Sequence, residues 1–262
     1  MQSGIDPEAN FDAIASAAQE AANDGAEILF TPEMSILLDQ DRERAARWID
    51  SDRPTEMQAR LGRLAEEVGL ALSIGSMPVP SGRGKWANRG LYFDADGEQI
   101  AHYDKMHLFD VELSSGESWR ESNAYDGGRE VVTVEDTPVG RLGLTICYDL
   151  RFPALFDALG RCRCDCLATP AAFTQHTGPA HWHVLQRARA IEATAFVVAA
   201  AQVGVHEDGR KTYGHSLVVD PWGEIMLDMR GEGPALGVCE LDLKKIHEVR
   251  EQIPSLANKA EI

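Results

Sequence analysis

A chain of 262 residues with 44% apolar side chains has the length and composition for one large hydrophobic core. The balance of 25 Lys and Arg against 42 Asp and Glu leaves a formal charge of −17, which repels phosphate backbones and anionic lipid headgroups and argues against nucleic acid or a membrane surface as partner. No apolar run reaches the roughly 20 residues of a membrane helix, the opening Met1-Gln2-Ser3-Gly4-Ile5-Asp6-Pro7 lacks the basic and apolar regions of a secretion signal, and 5 cysteines, an odd number, read as free thiols of a reducing cytoplasm.

Asp6-Pro7-Glu8 predicts a helix start, with Asp as cap and Pro at the first helical position; Phe11, Ile14, Ala15, Ala18 and Ala22 then recur at helical spacing until Gly25. The apolar run 28–30 predicts a buried strand ending at Thr31-Pro32-Glu33. A second helix is expected from near Pro54, with Leu61, Leu64, Ala65 and Val68 on one face before Gly69, then a strand over 70–74. Segments 89–93 and 98–103 flank Asp94-Ala95-Asp96-Gly97, a hairpin signal, and 131–134 with 141–146 form a second hairpin around Thr137-Pro138-Val139-Gly140. Helix and strand then alternate: 153–159 helical, 166–169 extended, 179–193 helical, 196–201 extended. A third hairpin, 216–220 with 224–227 around Pro221-Trp222-Gly223, leads to a last strand over 235–241 and a terminal helix. No repeat or linker interrupts this order, so one domain over 1–262 is expected, built of mixed sheets with helices on their outer faces.

Chemistry concentrates where strands end. Cys147 closes a strand in Gly143-Leu144-Thr145-Ile146-Cys147-Tyr148-Asp149-Leu150-Arg151-Phe152-Pro153, with a helix just beyond; such a turn lifts a side chain out of the sheet and aims N–H groups beside it. Taken alone, a cysteine closing an apolar strand is more often a small buried hydrophobe. Glu33 and Lys105 follow strands in the same way, at the ends where layered α/β proteins gather their sites, yet a single Glu or Lys in a loop is ordinarily a solvated charge.

The three together change the reading. Leu29-Phe30-Thr31-Pro32-Glu33, then Tyr103-Asp104-Lys105-Met106-His107-Leu108-Phe109-Asp110, then the Cys147 segment form, in this order, a Glu-Lys-Cys set that resembles the nitrilase, or carbon–nitrogen hydrolase, superfamily. Trp119-Arg120-Glu121-Ser122, Thr169-Pro170-Ala171-Ala172-Phe173-Thr174, His181-Trp182, Arg187-Ala188-Arg189-Ala190-Ile191-Glu192 and Tyr213-Gly214-His215-Ser216 extend the likeness over nearly the whole chain.

The resemblance implies a fold, the α-β-β-α sandwich of that superfamily, and a homodimer or larger even assembly. It also implies a mechanism that needs no cofactor and no metal. A neutral thiol requires a base, which would be Glu33, and the oxyanion of a tetrahedral intermediate requires donors, which would be Lys105 and the N–H of Tyr148. Glu121 matches a second glutamate that stands near the lysine; Glu112 is closer in sequence to Lys105 but has the flanks of a surface loop. Cys-Tyr-Asp-Leu-Arg-Phe-Pro resembles the branches that include omega-amidase and deaminated glutathione amidase, so the expected substrate is a small omega-amide, released as acid and ammonia through a thioester. Arg151, Phe173 and Thr174 are the candidate pocket residues beside Tyr148, Arg151 being equally readable as a structural ion-pair partner. N-carbamoyl compounds or esters on the same triad are alternatives, as is a catalytically silent binding scaffold.

Family members normally begin with a buried strand before the first helix, and this sequence is expected to lack it, since Met1-Gln2-Ser3-Gly4 already stands at that strand's end. Cys162-Arg163-Cys164-Asp165-Cys166 has the look of a metal cluster, but one short C-x-C run does not close a four-ligand site, and no metal is expected there. The 8 histidines show no H-E-x-x-H spacing; His181, His183 and His215 read as helix-face or loop residues.

Overall fold

A computed structural model describes residues 1–112, 116 and 118–260. Helix α1 (Pro7–Asn23) starts as its sequence dictates: the Asp6 carboxylate accepts the Glu8 N–H at 3.0 Å, and Pro7, which has no N–H to leave unpaired, takes the first turn. Strand β1 (Ile28–Phe30) follows. Helix α2 (Arg42–Ile49) was not foreseen, because its composition is polar and only Ala45, Trp48 and Ile49 turn inward. Helix α3 (Arg53–Val68) ends at Gly69, whose left-handed φ of 64° closes it.

Strands β2 (Ala71–Pro80), β3 (Trp86–Phe93) and β4 (Gln99–Asp104) complete a 4-stranded sheet in the order β1-β2-β3-β4, with β1 and β2 parallel and the rest antiparallel. A small ribbon, β5 (Asp110–Glu112) and β6 (Ser118–Arg120), leads into a 3₁₀ turn at Glu121–Asn123. Next come β7 (Thr133–Thr137) and β8 (Gly140–Leu144), whose ladder reaches into the segment expected as a turn, since Thr137 pairs with Gly140. A 3₁₀ turn at Cys147–Arg151 precedes α4 (Pro153–Arg161), then β9 (Cys166–Ala168), α5 (Gly178–Ala193) and β10 (Phe196–Ala199). The short pair β11 (Val203–Val205) and β12 (Lys211–Tyr213), the strands β13 (Leu217–Val219) and β14 (Ile225–Asp228), and α6 (Lys244–Gln252) end the chain. The second sheet has 6 strands in the order β14-β13-β10-β9-β8-β7.

Apolar side chains sort these elements into four layers. Ile14, Ala18, Trp48, Met57 and Leu61 bury α1, α2 and α3 against one face of the first sheet. Leu155, Phe156, Leu159 and Trp182 do the same for α4 and α5 on the second. Between the sheets lie Tyr92 and Tyr103 from one side and Leu142, Leu144, Ile146 and Phe196 from the other. This is the helix–sheet–sheet–helix sandwich expected from the sequence. Each fully buried side chain of this size contributes about 1.5–3 kcal/mol by leaving water.

The expected strand over 235–241 is not formed: the segment is irregular, and Val238 is 53% exposed. A strand exists only where its N–H and C=O groups find a partner strand, and among the described residues none pairs with this segment. No described strand precedes α1; the first residues instead tie loops together, Met1 C=O accepting from the Val203 N–H at 3.0 Å and the Ser3 hydroxyl donating to Ser35 C=O at 3.1 Å. No described helix is long and apolar enough to cross a membrane.

Candidate active site

The loop after β1 is held against the start of the site by strand-like contacts that outlast the strand. Thr31 N–H donates to Ser73 C=O at 3.0 Å, and Met34, in the left-handed region at φ 54°, donates its N–H to the Ser76 hydroxyl at 2.8 Å. Gly75 makes this approach possible: a Cβ there would sit 2.1 Å from Thr31 C=O and 2.5 Å from the Pro170 ring. The path leaves Glu33 buried, 4% exposed, at the join of the two sheets.

Lys105 follows β4 and keeps its ladder for one more residue, its N–H donating to Asn88 C=O at 2.9 Å. Its ammonium, on a side chain 3% exposed, donates to Glu33 Oε1 at 2.8 Å and to Glu121 Oε2 at 2.9 Å. Glu121 opens the 3₁₀ turn after β6; its Oε2 also accepts the Phe109 N–H at 2.6 Å. Asn88, buried on β3, donates to Glu33 Oε1 at 2.9 Å and Glu121 Oε1 at 3.2 Å, so one amide bridges both carboxylates.

Cys147 stands at the first residue of its 3₁₀ turn with φ 47°, a left-handed conformation that a non-glycine residue adopts only when its surroundings hold it there. Two clamps do so. Its N–H donates to Pro170 C=O at 2.8 Å, and the wholly buried Asp149 accepts the Ile146 N–H at 2.9 Å. Asp149 also accepts the Tyr103 hydroxyl at 2.8 Å and the His107 N–H at 3.0 Å, and lies 2.7 Å from His107 Nδ1, which ties this turn to the segment carrying Lys105. Cys147 lies beside the Glu33 carboxylate, whose Oε2 accepts the Ala172 N–H at 2.8 Å.

Charge in this dry cluster is arranged to leave the proton on sulfur. Burial and the neighbouring Glu33 push the Cys147 thiol well above its ordinary range, against the opposing pull of Lys105. Burial alone would raise Glu33, but the Lys105 ammonium, with hydrogen bonds from Cys147 and Ala172, holds it below the ordinary carboxylate value. Burial alone would lower Lys105, yet Glu121 and Glu33 raise it well above the ordinary ammonium range. The resting site is therefore two carboxylates, one ammonium and a neutral thiol.

A cavity of about 550 Å³ opens onto this cluster and is lined by all four residues. Tyr148, Arg151, Phe173 and Thr174 line it as well. The Arg151 guanidinium lies 5.1 Å from the Phe173 ring centre and 5.9 Å from that of Tyr148, and bonds His181 Nδ1 at 3.1 Å. Among the described residues no carboxylate pairs with it. Thr174 shares a 2.7 Å hydroxyl bond with Thr177. Glu112 is far from this cluster in its contacts: it pairs with Arg120 at the surface, its side chain 75% exposed.

Sequence reasoning missed Asn88, Tyr125 and Arg210, all at or beside the cavity. A signal existed for Asn88, a polar side chain within the apolar run of β3. Arg210 stacks 5.1 Å over Trp119, a contact between distant segments that no local pattern announces. The cysteines at 162, 164 and 166 do not converge: Cys164 packs with the outer helices, Cys166 lies between the sheets, and Cys162 is exposed.

A family model described as carbon–nitrogen hydrolase matches residues 1–251. A deaminated glutathione amidase of Yersinia enterocolitica is 41% identical over 240 residues, covering 89% of this chain and 82% of that protein. The crystal structure of Saccharomyces cerevisiae Nit3, a member of branch 10 of the nitrilase superfamily, superposes with a TM-score of 0.85 at 29% identity, covering 97% of this chain and 91% of that one. A mutant of the amidase from Nesterenkonia sp. AN1, in which acrylamide has added to the active-site cysteine, superposes with a TM-score of 0.80 at 26% identity, covering 97% and 95%.

Proposed function

This chain belongs to the carbon–nitrogen hydrolase family and is an amidohydrolase, and from that premise we propose that Cys147, Glu33, Lys105 and Glu121 carry its reaction on small omega-amides. The observation that carries the reading is a single one: Lys105 Nζ lies 2.8 Å from Glu33 and 2.9 Å from Glu121, and Cys147 lines the same cavity beside that Glu33.

The chemistry follows from the charges. A free thiolate would add a third negative charge beside two carboxylates and one ammonium, so sulfur gives up its proton only as substrate arrives. Glu33 takes that proton while sulfur attacks the amide carbon. The oxyanion so formed replaces the charge on sulfur and is met by the Lys105 ammonium and by the N–H of Tyr148, a first-turn donor with no intrahelical acceptor. Glu33 then passes the proton to the departing nitrogen, ammonia leaves, and a thioester remains on Cys147. Water enters, gives a proton to Glu33 and attacks the thioester; the acid is released and the thiol regains its proton. Glu121 and Asn88 hold the lysine and the base in register.

The substrate class rests on the cavity wall. In a chain of charge −17, Arg42, Arg120, Arg151, Arg210 and Lys211 all line this one cavity, and Arg151 has no carboxylate partner among the described residues. Such a wall suits an amide that carries a carboxylate at its far end. Small omega-amides of dicarboxylic or peptide-like acids fit, including the deaminated glutathione named for the relatives. We place the enzyme in the cytoplasm as a single domain over 1–262. We also assign it to a homodimer, because Val184 and Ile191 on α5, with Trp222, leave apolar side chains 59%, 48% and 47% exposed on one side of the molecule. A monomer in light scattering would count against that assembly.

The test of function is ammonia release across a panel of omega-amides, N-carbamoyl amino acids and simple esters, in the parent and in Cys147→Ala. Turnover of carboxylated omega-amides that vanishes in the variant is expected; turnover that survives it removes Cys147 from the mechanism.

A further inference from the structure

Three residues that no sequence spacing connects meet beside α5, and none of them lines the cavity at Cys147. His183 comes from α5, His215 from the loop between β12 and β13, and Asp228 from the end of β14. His183 Nε2 lies 3.1 Å from Asp228 Oδ2; His215 Nδ1 lies 2.9 Å from Oδ1 and 3.2 Å from Oδ2. All the potential ligand atoms fall within 4.8 Å of one another. The geometry points to a divalent transition-metal site built from two imidazoles and one carboxylate.

Two features favour an ion over a plain hydrogen-bond node. The first is convergence: two imidazoles from separate elements reach one carboxylate, with all three potential ligand atoms within 4.8 Å, whereas a hydrogen-bond node needs only one of the rings. The present 2.9–3.2 Å separations are those of hydrogen bonds, and a tetrahedral ion about 2.0–2.1 Å from each donor would reset the donor atoms to roughly 3.3 Å apart. The second is presentation: His215 is held at φ 55° by its N–H bond to Arg230 C=O at 2.7 Å, so the backbone spends strain to aim this ring at Asp228. Asp228 is itself oriented by the Arg230 N–H at 2.8 Å. Side chains of the three are 28%, 22% and 29% exposed, which leaves an open side for an ion to enter and for water to complete its shell.

The site is separate from the amide chemistry but braced against its wall. The Tyr213 ring stacks on His215 at 4.3 Å, and the Tyr213 N–H donates to Phe173 C=O at 2.9 Å. Trp182 Nε1 donates to His215 C=O at 2.7 Å and its ring lies 5.0 Å from Phe173. An ion here ties α5, the β12–β13 loop and β14 into one unit behind the cavity.

Co²⁺ titration followed by absorption spectroscopy tests this, because nitrogen and oxygen ligands give weak visible bands whereas thiolates add an intense charge-transfer band. One saturable equivalent without the thiolate band is expected in the parent and in Cys147→Ala. His183→Ala and His215→Ala should each weaken binding by about 10–100-fold, while His102→Ala and His247→Ala, at exposed positions, should not. Proton NMR of the parent alone, with Co²⁺ shifting imidazole signals of two histidines only, gives the same answer without relying on a variant that folds. Absence of saturable binding, binding undiminished in both histidine variants, or a thiolate band at saturation each overturns the proposal.

Discussion

Glu121→Gln is the sharpest probe of the site, because the two side chains have one shape and differ in charge and in hydrogen-bonding sense. Every contact of the Glu121 carboxylate is to a donor: Oε1 takes Asn88 at 3.2 Å and Lys105 at 3.3 Å, and Oε2 takes Lys105 at 2.9 Å and the Phe109 N–H at 2.6 Å. An amide must put its NH₂ in one of those places, so either flip sets donor against donor twice and removes the charge beside Lys105. Setting two buried donors against another donor costs about 2–6 kcal/mol, at about 1–3 each. If Lys105 is positioned for the transition state by this contact, kcat/KM falls by roughly 30-fold to about 10⁴-fold, since about 1.4 kcal/mol is a factor of ten. The assay is ammonia release under saturating and subsaturating amide, with circular dichroism to show that the variant is folded. A folded variant that retains kcat/KM within about threefold refutes the assignment of Glu121 to the machinery.

Three further outcomes are expected. Glu33 is held below its ordinary value of 4.5, so it stabilises the fold at pH above 4.5 and that contribution is lost as pH falls through the lower folded value; as the base must be ionised, the acid limb of the kcat/KM profile should likewise lie below 4.5, and a limb above it would contradict the ion pairing with Lys105. Arg151→Gln should raise KM for an omega-amide bearing a carboxylate by about tenfold while leaving KM for a neutral amide of similar size within about twofold, and equal effects on both would remove the carboxylate anchor. Asp149→Asn should lower the melting temperature by about 6–12 °C, because an amide can keep only part of the donor set that Asp149 satisfies and the loss is about 3 kcal/mol; an unchanged melting curve would mean that the turn at Cys147 holds itself.

What could be read from the sequence, and what could not, divides by the range of the interactions involved. Glu33 and Cys147 each follow a strand whose apolar run is visible locally, and Lys105 follows the second strand of a hairpin marked by Asp96-Gly97, so their placement at strand ends was legible. Helix α2 was not, because an 8-residue segment with only Ala45, Trp48 and Ile49 turned inward is defined by the sheet it covers and not by its own pattern. The strand expected over 235–241 failed for the opposite reason: its pattern is local, but a strand exists only with a partner, and the sequence does not state who the partner is. Asn88 escaped because β3 begins at Trp86, three residues before the expected strand at Arg89, which left a buried bridging amide outside the expected element. His183, His215 and Asp228 likewise become neighbours only after three separate elements have packed.

The site straddles the two sheets, and this sets what its precision depends on. Glu33 and Lys105 leave the first sheet at β1 and β4, while Cys147 leaves the second at β8. Their separation is thus fixed by how the sheets pack across Tyr103, Leu144 and Ile146, a layer of apolar contacts that has no intrinsic register. Direction comes from a polar clasp: the buried Asp149 takes the Tyr103 hydroxyl and His107 N–H from the first sheet's end and the Ile146 N–H from the second's. Burial at the Tyr103 hydroxyl, with Asp149 beside it, raises that phenol far above its ordinary range, so it stays a donor at every pH the enzyme meets. Apolar packing supplies the adhesion between the layers, and a single carboxylate supplies the alignment that puts sulfur against its base.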